Sequence, residues 1–448
     1  MARLDRCDAT SKAAASRGIE RARSLMPRAG PEGLNNEIFA PLFCRESCTP
    51  PTHFSHPRVA SEMRRGTALT LALDVAPYAL VAVAVFTAAF GAPVLTRLCA
   101  VVLATYAGNA VLGECDLASW ALGDAPRSAY RGKTVWITGA SQGLGEELAL
   151  HLGSMGAKLI LSSRREETLR RVCEAATAAG AEDARALTLD ARAGSAAMRE
   201  KGAAALALAK EMAGAGDGAD GTDADIGVDY LFHVAGGSQH AAAEDTADEV
   251  DRDMFELNTM SAIALTKALL PSMLARRKGN IVAIGSMAVK CPAPGQATYA
   301  ATKAALSAFC HSLRGEVADR GVSVTVAHPG PIATGLGGQT RVIFGATLAK
   351  STCDTTADAA ADAAAAADPT RGAKVGKKER RLDATWVAKR IAAGAALGLD
   401  EVVLATQPIM LLRNFMQFVP SVGFRVLNKV GPKRTRAARL GVSMYELK

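Results

Sequence analysis

The chain has 448 residues, of which 49% are hydrophobic, enough to bury a large core, so one big domain with appendages is expected. Its net charge of +8 is modest for that length, its basic residues are spread out and aromatics make up only 5%, which argues against a nucleic-acid stacking platform and suits an anionic membrane surface. The nine cysteines are odd in number and form no C-x-x-C pair, so free thiols in a reducing compartment are expected, with no disulfide framework and no metal site.

Residues 1–66 read as a disordered or targeting extension. They hold Pro27, Pro31, Pro41, Pro50, Pro51 and Pro57 and show no sustained periodicity. The Arg/Ala/Ser-rich start resembles an organelle transit peptide, whereas Asp5, Asp8 and Glu20 run against that reading. Residues 67–113 read as a hydrophobic membrane anchor. The run 75–96 carries no charge, Arg97 interrupts it, and 98–113 is again apolar. Roughly 20 apolar helical residues span a bilayer core. Pro77, Gly91 and Pro93 leave a single span and a re-entrant hairpin both open. Arg58, Arg64 and Arg65 before the run, and Glu114 and Asp116 after it, place the N-terminus in the cytosol.

Residues 130–448 read as a catalytic domain. A strand at 134–137 enters the Gly-rich turn Thr138-Gly139-Ala140-Ser141-Gln142-Gly143-Leu144-Gly145, a helix follows over 146–155, and a second strand over 158–162. Strand, Gly-rich turn, helix, strand is a mononucleotide-binding unit: glycines let backbone approach a pyrophosphate, and the helix N-terminus offers N–H groups and positive dipole. Further strands are expected at 186–190, 228–234, 281–284, 322–327 and 401–405, with helices near 166–179, 196–213, 246–276 and 297–319. The fold class is therefore α/β, a doubly wound, mainly parallel sheet of about seven strands. Two low-complexity insertions, 214–227 and 351–380, read as surface loops.

Two stretches carry chemistry. After the second strand comes Ser162-Ser163-Arg164-Arg165, with no acid until Glu166. An NAD site places an acid there for the ribose 2′-hydroxyl, whereas arginines fork a 2′-phosphate, so NADP(H) is expected. Downstream, Ser286 lies just past a strand, and Tyr299 and Lys303 stand four apart on a helix, sharing a face. A free phenol has a pKa near ~10. An ammonium one turn away is expected to lower it, leaving Tyr299 as general acid/base, Lys303 as its tuner and Ser286 as an oxygen-orienting donor. The neighbours Met287, Ala288, Cys291, Pro292 and Pro331 are mostly apolar, which fits a lipid-like substrate. The apolar stretch 409–419 either dips into a membrane interface or packs on the domain or at a homodimer contact.

Taken in order, these residues resemble the short-chain dehydrogenase/reductase family over about 130–340 and again over 386–448. The resemblance implies that Gly139, Ser141, Gln142, Gly143, Leu144 and Gly145 form the cofactor turn, that Asp190 holds the adenine amine, and that Ala235 and Gly236 line the cofactor. It implies a nicotinamide-end segment at Pro329, Gly330, Ile332 and Thr334, and the catalytic set Asn258, Ser286, Tyr299 and Lys303, with Asn258 anchoring a relay water. The family's N-N-A-G after the fourth strand is His233-Val234-Ala235-Gly236 here, and His233 reads as a strand-end packing residue. Within the family, Trp136-Ile137-Thr138, Ser163-Arg164-Arg165-Glu166-Glu167 and Leu265 through Pro271 are most similar to its membrane-anchored branch. That likeness implies the endoplasmic reticulum membrane and a lipophilic carbonyl or alcohol substrate of retinoid, steroid or long-chain kind. A plastid or mitochondrial membrane is the alternative location. A 3-ketosphinganine-type or plastid isoprenoid reductase is the alternative enzyme, and a catalytically silent NADP(H)-binding membrane scaffold the alternative of another class.

Overall fold

A computed structural model describes residues 79–85, 93–121, 123–214, 225–333, 342–343 and 381–440. A short helix at 79–85 precedes α1 (Pro93–Leu112) and α2 (Leu117–Ala121). The first βαβ unit follows as β1 (Thr134–Thr138), α3 (Gly143–Ser154) and β2 (Lys158–Ser162). Helix α4 (Glu166–Ala179) leads to β3 (Asp183–Ala186), and α5 (Gly194–Met212) to β4 (Tyr230–His233). After the two-residue β5 (Ser238–Gln239) come α6 (Asp248–Phe255), a π turn (Glu256–Met260) and α7 (Ser261–Arg276). Then come β6 (Gly279–Ile284), α8 (Met287–Lys290), α9 (Ala297–Val317) and β7 (Val322–Pro329). The short strands β8 (Ile332–Ala333), β9 (Val342–Ile343) and β10 (Leu382–Asp383) precede α10 (Ala384–Ala396), β11 (Glu401–Leu404), α11 (Ile409–Phe418) and α12 (Pro420–Leu440).

The seven-strand sheet is ordered β11-β7-β6-β4-β1-β2-β3, with every pairing parallel. Its strands are apolar on both faces because helices cover both. Alternate residues of β1 serve opposite cores: Val135 and Ile137 pack with Leu148, Leu169 and Ile391, and Trp136 with Leu231, Leu265 and Leu313. The order reverses between β1 and β4. This switch point leaves a crevice at the C-terminal strand ends, where open α/β sheets bind ligands.

Element ends shift by a few residues throughout, and three elements depart from the sequence reading in a way that bears on the site. The third strand is Asp183–Ala186 instead of 186–190; residues 187–190 run on beside β2, with the Leu187 N–H donating to Leu161 O at 2.8 Å and the Leu189 N–H to Ser163 O at 2.9 Å. As an edge strand with no fully buried residue, β3 lacks the continuous apolar signature of its neighbours. The helix expected over 246–276 is α6 and α7 joined through the π turn. The strand expected at 228–234 is shorter, Tyr230–His233.

Residues 1–66, most of 214–227 and all of 351–380 lie outside the described residues, as do 67–78 and 86–92 of the expected anchor. No helix among the described residues is long and apolar enough to cross a membrane. The chain after α1 is stitched to the sheet's edge. The Ala405 N–H donates to Glu114 O at 2.9 Å, the Asp116 N–H to Val403 O at 3.0 Å, and the Val403 N–H to the Asp116 carboxylate at 2.7 Å. Helix α11 packs one face on the domain, where Met410 joins Met287, Cys291, Val403 and Ala405. The described cysteines Cys99, Cys115, Cys173, Cys291 and Cys310 are buried free thiols.

The Trp136 indole N–H donates to Ser162 Oγ at 2.9 Å in a fully buried setting. Ser162→Ala strands that donor, so it should lower stability by about 1–3 kcal/mol in chemical denaturation; an unchanged midpoint would mean that another group accepts it.

Candidate active site

The Gly-rich turn links β1 to α3 at the switch point. Gly139 has φ +72° and lies so close to the chain after β4 that a Cβ there would stand 2.7 Å from Ala235 Cα. Gly143 has φ +58°, and a Cβ on Gly145 would collide with the Gly139 carbonyl. These positions leave a backbone-lined cradle over the α3 N-terminus, whose first N–H groups have no acceptor within the helix. Thr138 braces it: its hydroxyl donates to Phe232 O at 3.2 Å and accepts from the Val234 and Ala235 N–H groups at 3.2 and 3.3 Å. Ser141 and Leu144 are buried, and Gln142 accepts from the Arg165 guanidinium at 2.9 Å. That contact carries an arginine from the end of β2 to the cradle. Arg164 lies beside it, just before α4, and Asp190 stands exposed past β3.

The other candidates converge on the same crevice. Ser286 caps α8, its hydroxyl accepting from the Ala288 N–H at 3.1 Å, and it hydrogen-bonds the Tyr299 hydroxyl. Lys303, one turn along α9, is 4% exposed and donates to Ile284 O at 2.8 Å. Asn258 is 1% exposed on the π turn. Its amide donates to Gly237 O and Thr302 Oγ1, both at 3.0 Å, and its carbonyl accepts from the Gly237 N–H at 2.9 Å. Thr302 in turn donates to Tyr299 O at 2.8 Å. Gly236 sits between these groups: a Cβ there would lie 2.9 Å from Asn258 Oδ1 and 3.1 Å from Lys303 Nζ. Pro329 and Gly330 close the end of β7, with the Gly330 N–H donating to Leu404 O at 2.6 Å, and Ile332 pairs with Leu382 in β8 and β10. Thr334 lies outside the described residues.

The electrostatics correct one expectation. Burial raises the Tyr299 phenol above its ordinary value, and the contact that pulls it back down is Ser286, not Lys303. Lys303 is itself brought down to about 8 by burial. Four-residue spacing reports a shared face, but not how much water a site loses. His233 is buried, its Nε2 lies 2.8 Å from Thr266 Oγ1, and burial followed by the Lys303 charge takes it down to about 3, so it is neutral.

One cluster escaped sequence reasoning. His311, His328 and Glu401 come together behind Ser286, with His311 Nε2 3.0 Å and His328 Nε2 3.5 Å from Glu401 Oε1. The Lys290 ammonium donates to both carboxylate oxygens, at 2.8 and 2.9 Å, and His328 Nδ1 lies 3.3 Å from Ser286 O. Burial would raise Glu401, but His328 and Lys290 outweigh it and hold the carboxyl far below its ordinary range. No spacing rule links residues 311, 328 and 401; only the adjacency of β7 and β11 under α9 does.

A sequence profile of the short chain dehydrogenases matches residues 133–342. Dehydrogenase/reductase SDR family member 7 of Homo sapiens is 29% identical over 315 residues, covering 69% of this chain and 80% of that protein. Member 7B of Rattus norvegicus is 37% identical over 215 residues, 47% of this chain and 61% of its own length. A protein 7-like relative from Anopheles gambiae is 35% identical over 228 residues, 50% of this chain and 67% of its own. The chain belongs to the short-chain dehydrogenase family. Members of this family are oxidoreductases. The present short-chain dehydrogenase fits a nicotinamide dinucleotide on its own geometry: the cradle exists only because Gly139 and Gly145 lack side chains, and a buried ammonium stands at its far end.

Because Lys303 titrates near pH 8 in the protein alone, its charge is present at neutral pH and lost as pH rises through that value. The affinity for NADPH, followed by nucleotide fluorescence, should weaken above about pH 8, and Lys303→Met should abolish that break. A pH-independent affinity in the parent protein would rule out a contact between this ammonium and the dinucleotide.

Proposed function

We propose that this short-chain dehydrogenase is an NADP(H)-dependent oxidoreductase that interconverts a lipophilic ketone or aldehyde with its alcohol. The observation that carries the reading is the bonded Ser286–Tyr299 hydroxyl pair beside the buried Lys303, at the C-terminal edge of the sheet. The dinucleotide, when bound, supplies or accepts the hydride. In reduction Tyr299 Oη gives a proton to the substrate oxygen, and in oxidation it takes one back. Ser286 Oγ donates a hydrogen bond to the same oxygen and orients it. Lys303 Nζ, with one of its donors on Ile284 O, holds the dinucleotide's sugar, while the Ser286 hydroxyl bonded to Tyr299 stabilises the phenolate left after proton transfer. Asn258, pinned by Gly237 and Thr302, holds the relay water that reprotonates Tyr299. Burial raises the phenol further above neutral pH, so Tyr299 stands in the protonated form that donates in reduction.

Two further features support the finer parts. Arg164 and Arg165 follow β2 where a ribose 2′-phosphate would lie, and Arg165 already reaches the cradle through Gln142. Beyond Ser286, Met287 and Cys291 pack with Ile409, Met410, Leu412 and Met416 in an apolar cluster, and apolar surroundings suit a lipid-like carbonyl. The charge-free run 75–96 supports a membrane anchor, and the family resemblance favours the endoplasmic reticulum as its site.

The test is NADPH oxidation by the detergent-solubilised chain against retinals, ketosteroids, 3-ketosphinganine, isoprenoid carbonyls and long-chain aldehydes. One of them should turn over, and Tyr299→Phe should cut kcat/KM about 10²–10⁴-fold while NADPH binding is kept. NADPH binding with no turnover of any class would favour a nucleotide-binding scaffold. Arg164→Ala/Arg165→Ala should weaken NADPH by about tenfold or more and leave NADH unchanged; equal losses for both would sink the NADP(H) assignment.

A further inference from the structure

Behind Ser286 stand ionisable side chains that the proposed reaction leaves unused: Lys290, His311, His328 and Glu401. His328 is fully buried, and its ring occupies room that exists only because residue 285 has no side chain. A Cβ on Gly285 would stand 2.8 Å from His328 Nδ1 and 3.0 Å from its Cε1. His328 Nδ1 faces Ser286 O at 3.3 Å. A carbonyl oxygen can only accept, so Nδ1 carries a proton and donates it. The same carbonyl accepts from the Val289 N–H at 3.0 Å, so both of its lone pairs are engaged. On the other side of the ring, Nε2 lies 3.5 Å from Glu401 Oε1, within range of the charge but long for a hydrogen bond.

Glu401 grips the opposite end of the same short helix. Lys290, the last residue of α8, donates to both of its carboxylate oxygens, at 2.8 and 2.9 Å, and both side chains are 28% exposed. A partly buried, doubly bonded pair of this kind holds its geometry better than an exposed one. Arg314 fixes the start of β11 from α9: its guanidinium donates to Asp400 O at 2.6 Å and to Val324 O on β7 at 2.9 Å. Helix α8 is therefore held at its start by His328 and at its end by Glu401, from the adjacent parallel strands β7 and β11. A packing role alone would be served better by an apolar side chain, because an imidazole buried beside a carboxylate loses hydration that leucine never had.

We propose that His328 and Glu401 are positioning residues for Ser286: they clamp α8 at both ends and thereby set the place of the hydroxyl that orients the substrate oxygen. The inference rests on the role proposed for Ser286 and extends it to two residues set behind it. The link from clamp to hydroxyl is short. Ser286 Oγ accepts from the Ala288 N–H at 3.1 Å, inside the clamped turn, so its own proton is left for Tyr299 or for the substrate. When Ser286 O shifts, the turn shifts, and the hydroxyl moves with it. A displacement of a few tenths of an ångström is enough to weaken an oriented contact in a reacting complex.

The test uses the full detergent-solubilised chain with carbon-13 at tyrosine Cζ. Of its six tyrosine resonances, the one lost in Tyr299→Phe reports the bond to Ser286, and Ser286→Ala gives its position with that bond broken. His328→Leu and Glu401→Gln should each move it toward that position. His328→Asn, whose amide can still donate to Ser286 O, should leave it near the parental one. Amide exchange of residues 285–291, read by mass spectrometry, should be about tenfold faster in His328→Leu and Glu401→Gln and near parental in His328→Asn. If His328→Leu does not fold, Glu401→Gln carries the comparison. Parental exchange in His328→Leu and Glu401→Gln, or equal effects of His328→Asn and His328→Leu, would overturn the proposal; the second would make the ring a packing element. A tyrosine resonance indifferent to Ser286→Ala, with exchange still accelerated in the other variants, would leave the positioning role standing and take down the hydroxyl pair on which the catalytic reading rests.

Discussion

Lys303 brings an ammonium to the C-terminal edge of the sheet with 4% of its surface exposed. Removing a cation from water is costly, and the charged form is correspondingly disfavoured. What compensates is geometric: the Ile284 carbonyl, at the last residue of β6, accepts one of its protons. That carbonyl is available only because the strand stops there and turns through Gly285 to Ser286. A bound dinucleotide, rich in acceptors, would add to the compensation. The protein therefore carries a destabilised cation where a ligand can relieve it, as functional sites do and folded cores avoid.

The groups around that cation are held as a unit. Asn258 would be an ordinary helical residue if α6 and α7 were continuous. The π turn widens the backbone at that point, and the amide side chain then reaches both Gly237 and Thr302. Such bulges are found mainly at functional sites. Asn258 thus ties the π turn to the chain after β4 through Gly237 and to α9 through Thr302, which itself donates onward to Tyr299 O. Gly236 is the condition for this closeness, because any side chain there would press on Asn258 and Lys303 together.

Much of this was legible in the sequence, for a physical reason. Strands buried on both faces are continuously apolar, so β1, β2, β6 and β7 declare themselves, and a Gly-rich turn between a strand and a helix has few uses. The polar edge strand β3 was displaced because Asp183-Ala184-Arg185-Ala186 carries no such signal, while the apolar residues after it do. The π turn was invisible, since Glu256-Leu257-Asn258-Thr259-Met260 continues a helical pattern. The four-residue spacing of Tyr299 and Lys303 was read correctly as a shared face, but the sign of the phenol's shift was not, because desolvation depends on how many other elements close over the site.

The cluster behind Ser286 shows the same limit from the other side. Two imidazoles and a carboxylate whose donor atoms all lie within 4.8 Å of one another are a donor set for a metal, yet the surrounding cations oppose one here. Lys290 occupies both oxygens of Glu401. The Arg314 guanidinium, 2.9 Å from His311 Nδ1, can only donate, which places the His311 proton on Nε2, toward Glu401 instead of a lone pair toward an ion. The cluster is better understood as a buttress. Glu401 gathers α8, α9 and β7 onto the edge strand β11, and His328, with Nδ1 beside Ser286 O and within 2.8 Å of where a Gly285 side chain would begin, transmits that grip to the serine's backbone. Ser286 is thus fixed from behind by a charge network and from the front by Tyr299. In the proposed reaction this hydroxyl meets a substrate oxygen within tenths of an ångström, and it would need both supports, because its own short helix, four residues long, is too brief to hold it.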